Sequence, residues 1–237
     1  MSLGARQIGN NLVYYRGNRK RLIDAVGPDV VKFIDDFVSP GVASDALDGW
    51  VVTLVETGGG GETTVTVPQV SGGALLITTD NADNDGANLQ LDGESFELSS
   101  DQSAVYFGIR LRMGEATQSD VLVGLCITDT DLLGGMTDGV YFRKVDGATG
   151  LAAVTEKDST ETETASVLTV AADTDYLLEF YFDGTSVEFF VDGVSVAKHT
   201  ANIPDNELLT PSIHFLTGNA AVETCQVDYV RAIQIGR

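Results

Sequence analysis

Two cysteines, two histidines and one tryptophan in 237 residues close off several chemistries before any pattern is considered. A pair of cysteines is too few for a cysteine-based zinc site, and spacing alone fixes no disulfide. Cys126 and Cys225 fall in apolar strand-like segments and are expected to be buried free thiols. Ser-His-Asp and Cys-His catalysis both need a histidine base. His199 and His214 each sit at or within a strand pattern, where a structural role is expected. No apolar run approaches the ~18 residues of a membrane-spanning helix. The start, MSLGARQIGNNLVYYRGNRKRL, lacks the apolar stretch of ~7–15 residues and the small-residue cleavage site of a secretory signal. No Gly-Lys-Ser/Thr follows the glycine run 58–61, so a phosphate-binding P-loop is absent, and the run is expected to be a hairpin tip.

Basic residues are scarce as well. Fourteen Lys and Arg stand against 35 Asp and Glu, a formal charge of -21. Such a surface repels nucleic acid, whose binding requires cations to displace counterions from phosphates. The scarcity is uneven. Arg6, Arg16, Arg19, Lys20, Arg21 and Lys32 face only Asp24 and Asp29 in residues 1–34, a local balance of +4, which leaves -25 for residues 35–237. The chain therefore reads as a short basic N-terminal arm, 1–34, joined to an acidic body, 35–237. Charge asymmetry of this kind marks interaction tails.

What is present in quantity is alternation. Val105, Phe107, Ile109, Leu111 and Met113 point one way, with Tyr106, Arg110 and Arg112 opposite. Tyr176, Leu178, Phe180 and Phe182 share a face, as do Val227, Tyr229, Ile233 and Ile235, interrupted by Arg231. Period two places one row on a core and the next in solvent. Asp-Gly occurs seven times, at Asp48, Asp85, Asp92, Asp138, Asp146, Asp183 and Asp192. Both residues tolerate the positive φ of tight hairpin turns. Roughly a dozen strands with turns every ~8–12 residues predict an antiparallel β-sandwich. Helical spacing fits only part of 19–37, where 32–38 is preferred as strand and 19–27 stays open.

The stretch 176–204, YLLEFYFDGTSVEFFVDGVSVAKHTANIP, resembles the concanavalin A-like, laminin-G-like jelly rolls, with Asp192-Gly193 as the turn of the second hairpin. FIDDF (33–37) looks like the first strand of that fold and VDYVRAIQI (227–235) like its last. The resemblance implies an all-β jelly roll over about 33–237. It implies little about function, since the fold hosts lectins, glycanases, adhesion modules and virion proteins. The layout of an arm on an acidic body also resembles jelly-roll structural proteins of tailed bacteriophages.

Candidate chemistry is thin. Glucanases of this fold carry Glu-x-Asp-x-x-Glu on one strand, and that pattern is missing. Asn81, Asp83 and Asp85 stand at alternate positions before Gly86, with Asp92 at the twelfth position, an echo of a calcium loop; Asn in first place, Asp for the bidentate Glu, and strand flanks all depart from it. A sugar site would use Trp50, Tyr106, Tyr141 or Tyr181 on a solvent-facing row, although such aromatics also pack under loops or a neighbouring subunit.

Together these readings favour a non-enzymatic virion structural protein, a capsid decoration or head-fibre subunit. Its arm would dock on the major capsid protein or other virion proteins through Arg16, Arg19, Lys20 and Arg21, while Tyr14, Tyr15 and Leu22 are buried. It would be made in the host cytoplasm and placed on the capsid surface, as a homo-oligomer for which a trimer is plausible. Neither nucleic acid nor membrane is expected as a partner, and calcium is the one cofactor considered. The alternative is a carbohydrate-binding, lectin-like module gripping host-surface glycans.

Overall fold

The computed structural model describes residues 3–38, 47–58 and 61–236. All regular elements in them are strands. They are β1 (Leu3–Ile8), β2 (Asn11–Arg16), β3 (Leu22–Val26), β4 (Val30–Asp35), β5 (Trp50–Val55), β6 (Thr64–Thr66), β7 (Leu75–Thr78), β8 (Gly86–Leu91), β9 (Phe96–Glu97) and β10 (Ala104–Met113). They continue with β11 (Ser119–Cys126), β12 (Gly139–Lys144), β13 (Gly150–Lys157), β14 (Thr160–Thr169), β15 (Thr174–Phe182), β16 (Val187–Val191), β17 (Val194–His199), β18 (Leu208–Thr217) and β19 (Thr224–Ile235).

Two eight-stranded antiparallel sheets face each other. One runs β17-β16-β15-β10-β19-β7-β6, and β4 shares the outer edge of the long strand β19 with β7. The other runs β14-β13-β12-β11-β18-β8-β5, with β9 paired to the start of β18. The expected all-β jelly-roll sandwich is what the chain forms. Between the sheets lie the alternating residues read from the sequence: Val105, Phe107, Ile109, Leu111 and Met113 from β10, and Tyr176, Leu178, Phe180 and Phe182 from β15. Phe180 stacks on Phe107 at 5.3 Å and tilts against Phe189 at 5.8 Å. Cys126 and Cys225 are buried and free, and burial pushes the Cys225 thiol up to about 12.

Asp192-Gly193 forms the two-residue turn between β16 and β17, with φ of 48° and 81°. An alanine Cβ at Gly193 would also collide with the Arg21 guanidinium. Gly193→Ala is therefore expected to cost about 1–2 kcal/mol, measured as a lowered urea midpoint at unchanged m-value.

Three features depart from the sequence reading. First, the strands flanking the glycine run, β5 and β6, lie in opposite sheets and do not pair as a hairpin, while Gly59 and Gly60 lie outside the described residues. Second, β19 carries a bulge where Leu111 pairs with Val227 and Arg110 with Tyr229. The extra residue flips the face: Val227, Val230 and Ala232 enter the core, while Tyr229, Arg231, Ile233 and Ile235 point outward. Third, the expected arm is not a free segment. From Leu3 to Val26 it is a three-stranded antiparallel meander, and the boundary drawn after residue 34 falls inside β4, which belongs to the sandwich.

The meander forms because β2 itself alternates. Val13 is buried and Tyr15 half-buried, while Leu12 and Tyr14 are exposed. Val13, Leu22 and Ala25 pack on Ala104, Tyr106, Tyr181, Phe190, Ile233 and Ile235 of the outer sandwich face. Fully burying a side chain such as Val13 or Leu22 contributes about 1.5–3 kcal/mol toward holding the meander on that face.

Candidate functional site

The meander packs on one outer face, and the outer face of the other sheet carries an open cleft. Two rungs of side chains cross it. Thr53, Asn88, His214 and Leu122 are in register on β5, β8, β18 and β11, followed by Val51, Gln90, Ser212 and Gly124. The intervening Leu89, Ile213 and Val123 belong to the core, so the pleat sends these polar residues outward.

The loop 127–138 folds back over this face. Its Leu132 and Met136 sink among Leu122, Cys126, Tyr141, Ala152 and Val154. Two amides clamp its start. Asn88 Nδ2 donates to the Thr130 carbonyl at 2.6 Å. Gln90 Nε2 donates to the Ile127 carbonyl and to Ser212 Oγ, both at 2.9 Å, while Gln90 Oε1 accepts the Asp129 amide. Because Asn88 Nδ2 is committed as donor, its Oδ1 accepts from His214 Nδ1. That fixes the neutral tautomer of a buried imidazole whose pKa burial lowers to about 3. His214 Nε2 is buried without a partner among the described residues.

Between the clamped loop and the turn after β8 lies a cleft of about 480 Å³. Val51 and Leu91 give it an apolar wall, and Asp92, Glu94 and Asp129 give it three carboxylates. Glu94 Oε1 accepts the Thr128 amide at 2.6 Å, which holds the two rims together. Asp129 Oδ1 accepts the Asp131 amide at 2.8 Å.

Further along the same face, two more carboxylates meet. Glu156 and Glu161 are cross-strand partners on β13 and β14. The Tyr141 hydroxyl donates to Glu156 Oε2 at 2.7 Å and lies 3.2 Å from Glu161 Oε1, so the two carboxylates are no farther apart than those lengths end to end. Burial raises the Glu156 pKa. Arg143, donating to both oxygens of Glu161 at 2.5 and 2.8 Å, lowers that of Glu161.

The residues singled out from the sequence are placed otherwise. Trp50, Tyr106, Tyr141 and Tyr181 are all buried. Trp50 packs on Phe33 and Phe37, Tyr141 lies under the 127–138 loop, and Tyr106 and Tyr181 lie under the meander. None of them is an open platform. Asp85 and Asp92 stand at opposite ends of β8, seven residues and about 23 Å apart along a strand. One ion cannot join them, and Asp85 Oδ1 instead accepts from the Thr57 amide and hydroxyl. Among the described residues no group of His, Cys, Asp and Glu has the arrangement of a metal site, and Asn81 and Asp83 are brought to no such group. In the expected docking set, Lys20 pairs with Glu188 at 2.7 Å and Arg21 with Glu179 at 2.6 Å. Leu22 and half-buried Tyr15 pack on the sandwich, while Tyr14, Arg16 and Arg19 remain exposed. Contacts assigned to a partner are thus made, in good part, within the chain. Asn88 and Gln90 were missed, and their signal was amides at alternate positions of a strand otherwise apolar, GANLQL.

No family model matches the chain, and no curated protein matches it in sequence. Solved structures do share its fold. A non-specific endo-beta-1,3(4)-glucanase, SCLam, superposes with a TM-score of 0.61 at 14% identity, covering 90% of this chain and 94% of its own. A glycosyl hydrolase family protein from Mycobacterium fortuitum gives 0.59 at 16% identity, covering 84% and 98%. The carbohydrate recognition domain of Emp46p, metal-free, gives 0.56 at 13% identity, covering 80% and 89%. At these identities the likeness is one of fold. It nevertheless corrects the expectation that the chain is not an enzyme, since the frame is one on which glycan hydrolases are built and the missing Glu-x-Asp-x-x-Glu does not dismiss such chemistry.

Proposed function

We propose that the chain is a carbohydrate-binding jelly roll, with the saccharide seated in the cleft between the 127–131 loop and the turn after β8. The observation that carries this is the cleft's composition. Sugar hydroxyls donate and accept, and their C–H faces are apolar. Asp92, Glu94 and Asp129 supply acceptors, while Val51 and Leu91 supply the apolar wall. A cavity of about 480 Å³ lies within the ~300–1,000 Å³ of small-ligand sites. Three carboxylates favour a neutral glycan over a sulfated or uronic one. A glucanase and a carbohydrate recognition domain among the fold's neighbours support the same reading. No neighbour named above is a virion protein, and nothing in them supports the capsid role.

The test is a glycan array on the full chain, with and without calcium. Saturable binding to one class of neutral glycan is expected. Replacing Glu94 by Gln together with Asp129 by Asn should weaken it by at least roughly tenfold, as expected for lost charge-assisted hydrogen bonds. Binding untouched by that pair sinks the cleft assignment.

A second reading, hydrolysis, is favoured by Glu156 and Glu161. One carboxyl with its pKa raised beside one with its pKa lowered is the division between acid and nucleophile of a retaining glycosidase. Glycans bound on the array should then be cleaved by the native chain and not by its Glu156→Gln form. Cleavage by both forms removes Glu156 from that role.

A further inference from the structure

We propose a second ligand site, for a small carboxylate- or sulfate-bearing anion, in the cavity between the N-terminal meander and the sandwich. The cavity holds about 290 Å³, and three arginines, Arg16, Arg21 and Arg231, are among the residues that line it. Its floor is the outward row Glu179, Gly108 and Arg231 across β15, β10 and β19, with Leu177 and Tyr229 alongside. Gly108 leaves room for the Tyr106 side chain, which lies across it and brings its hydroxyl to Glu179 at the cavity floor. Arg16 and Arg21 come from the end of β2 and the turn before β3.

The charge balance of this cavity is opposite to that of the chain. Its one carboxylate, Glu179, is already held by Arg21 Nε at 2.6 Å and by the Tyr106 hydroxyl at 2.9 Å. Arg231 is less well matched. Its guanidinium lies 4.4 Å over the Tyr229 ring, and its ion pair with Asp36 is long, 3.7 Å, to a side chain about half exposed. Its Nε is buried with no partner among the described residues. That nitrogen is sealed from solvent, so an anion in the cavity is met by the part of the guanidinium that remains accessible, where the side chain is 23% exposed and only the long Asp36 pair competes for it. Arg16 has no ion pair among the described residues and stands exposed at the rim, where it meets an entering charge. The volume holds about ten waters at ~30 Å³ each, which limits the ligand to a sulfate or a single sugar acid rather than a chain.

The site rests on no property of the cleft, and its test separates the two. Calorimetric titration of the full chain with D-glucuronate, sulfate and neutral glucose is the experiment. Glucuronate or sulfate should bind one to one with a dissociation constant near ~1 mM or tighter, weakening as salt is raised, and the tighter of the two names the preferred group. Arg16→Gln, at an exposed position that leaves the fold intact, and Arg231→Gln should each weaken binding by roughly tenfold. Glu94→Gln, in the cleft, should not change it. The proposal is overturned by failure of both anions to bind, by glucose binding as tightly as glucuronate at the Arg16-sensitive site, or by anion binding that survives both arginine substitutions.

Discussion

Arg21→Ala is expected to destabilise the protein by about 3–5 kcal/mol, the cost of leaving one member of a buried ion pair without its partner. Arg21 and Glu179 are 5% and 3% exposed, so little water can replace the lost guanidinium. Desolvation already raises the Glu179 pKa, with Arg21 and the Tyr106 hydroxyl pulling the other way. Without Arg21 the carboxyl rises further, and protonation becomes the cheapest escape. The destabilisation should therefore shrink as pH falls. Arg21→Met combined with Glu179→Leu removes both charges and should cost far less than the single change, giving a large coupling term in a double-mutant cycle. Urea unfolding of the four proteins at two pH values is the measurement. A single-variant cost below about 0.5 kcal/mol is what an exposed pair gives, and would mean that the meander does not sit on the sandwich.

That pair also shows where sequence reading stopped. The core rows of β10 and β15 and the turn at Asp192 were legible because each depends on residues close in the chain. The face taken by β19 was not, since its bulge exists only in the pairing with β10. The leader was read by its charge, yet its strands had a signal of their own: Gly9-Asn10 between the alternating runs of β1 and β2. Aromatics on the second row were equally ambiguous. Alternation says that Tyr106 and Tyr141 leave the core, but not that a meander and a loop then cover them. The jelly roll was therefore legible, and the cleft was not, because its walls are contributed by segments that no local pattern brings together.

Acidification gives the second large effect. His214 has a pKa of about 3 in the folded chain against an ordinary 6.5. Between those values the unfolded chain binds the proton and the folded chain does not, so stability falls as pH falls through that window. At 1.36 kcal/mol per unit, the loss by pH 4 is about 3 kcal/mol. Glu156 and Glu179 act in the opposite direction, because their raised pKa values let the folded chain take protons more readily than the unfolded one. Comparing the native chain with His214→Gln isolates the histidine. The native stability should drop more steeply between pH 6.5 and 4 than that of the variant, and parallel profiles would show that the imidazole is hydrated.

The carbohydrate reading turns on where a glycan sits. Amide hydrogen exchange, recorded with and without a saturating amount of the tightest-binding neutral glycan, reports this directly. Slowed exchange is expected at residues 91–94 and 127–131, the two rims of the cleft. A bound glycan that leaves both rims unchanged and protects another surface would contradict the account.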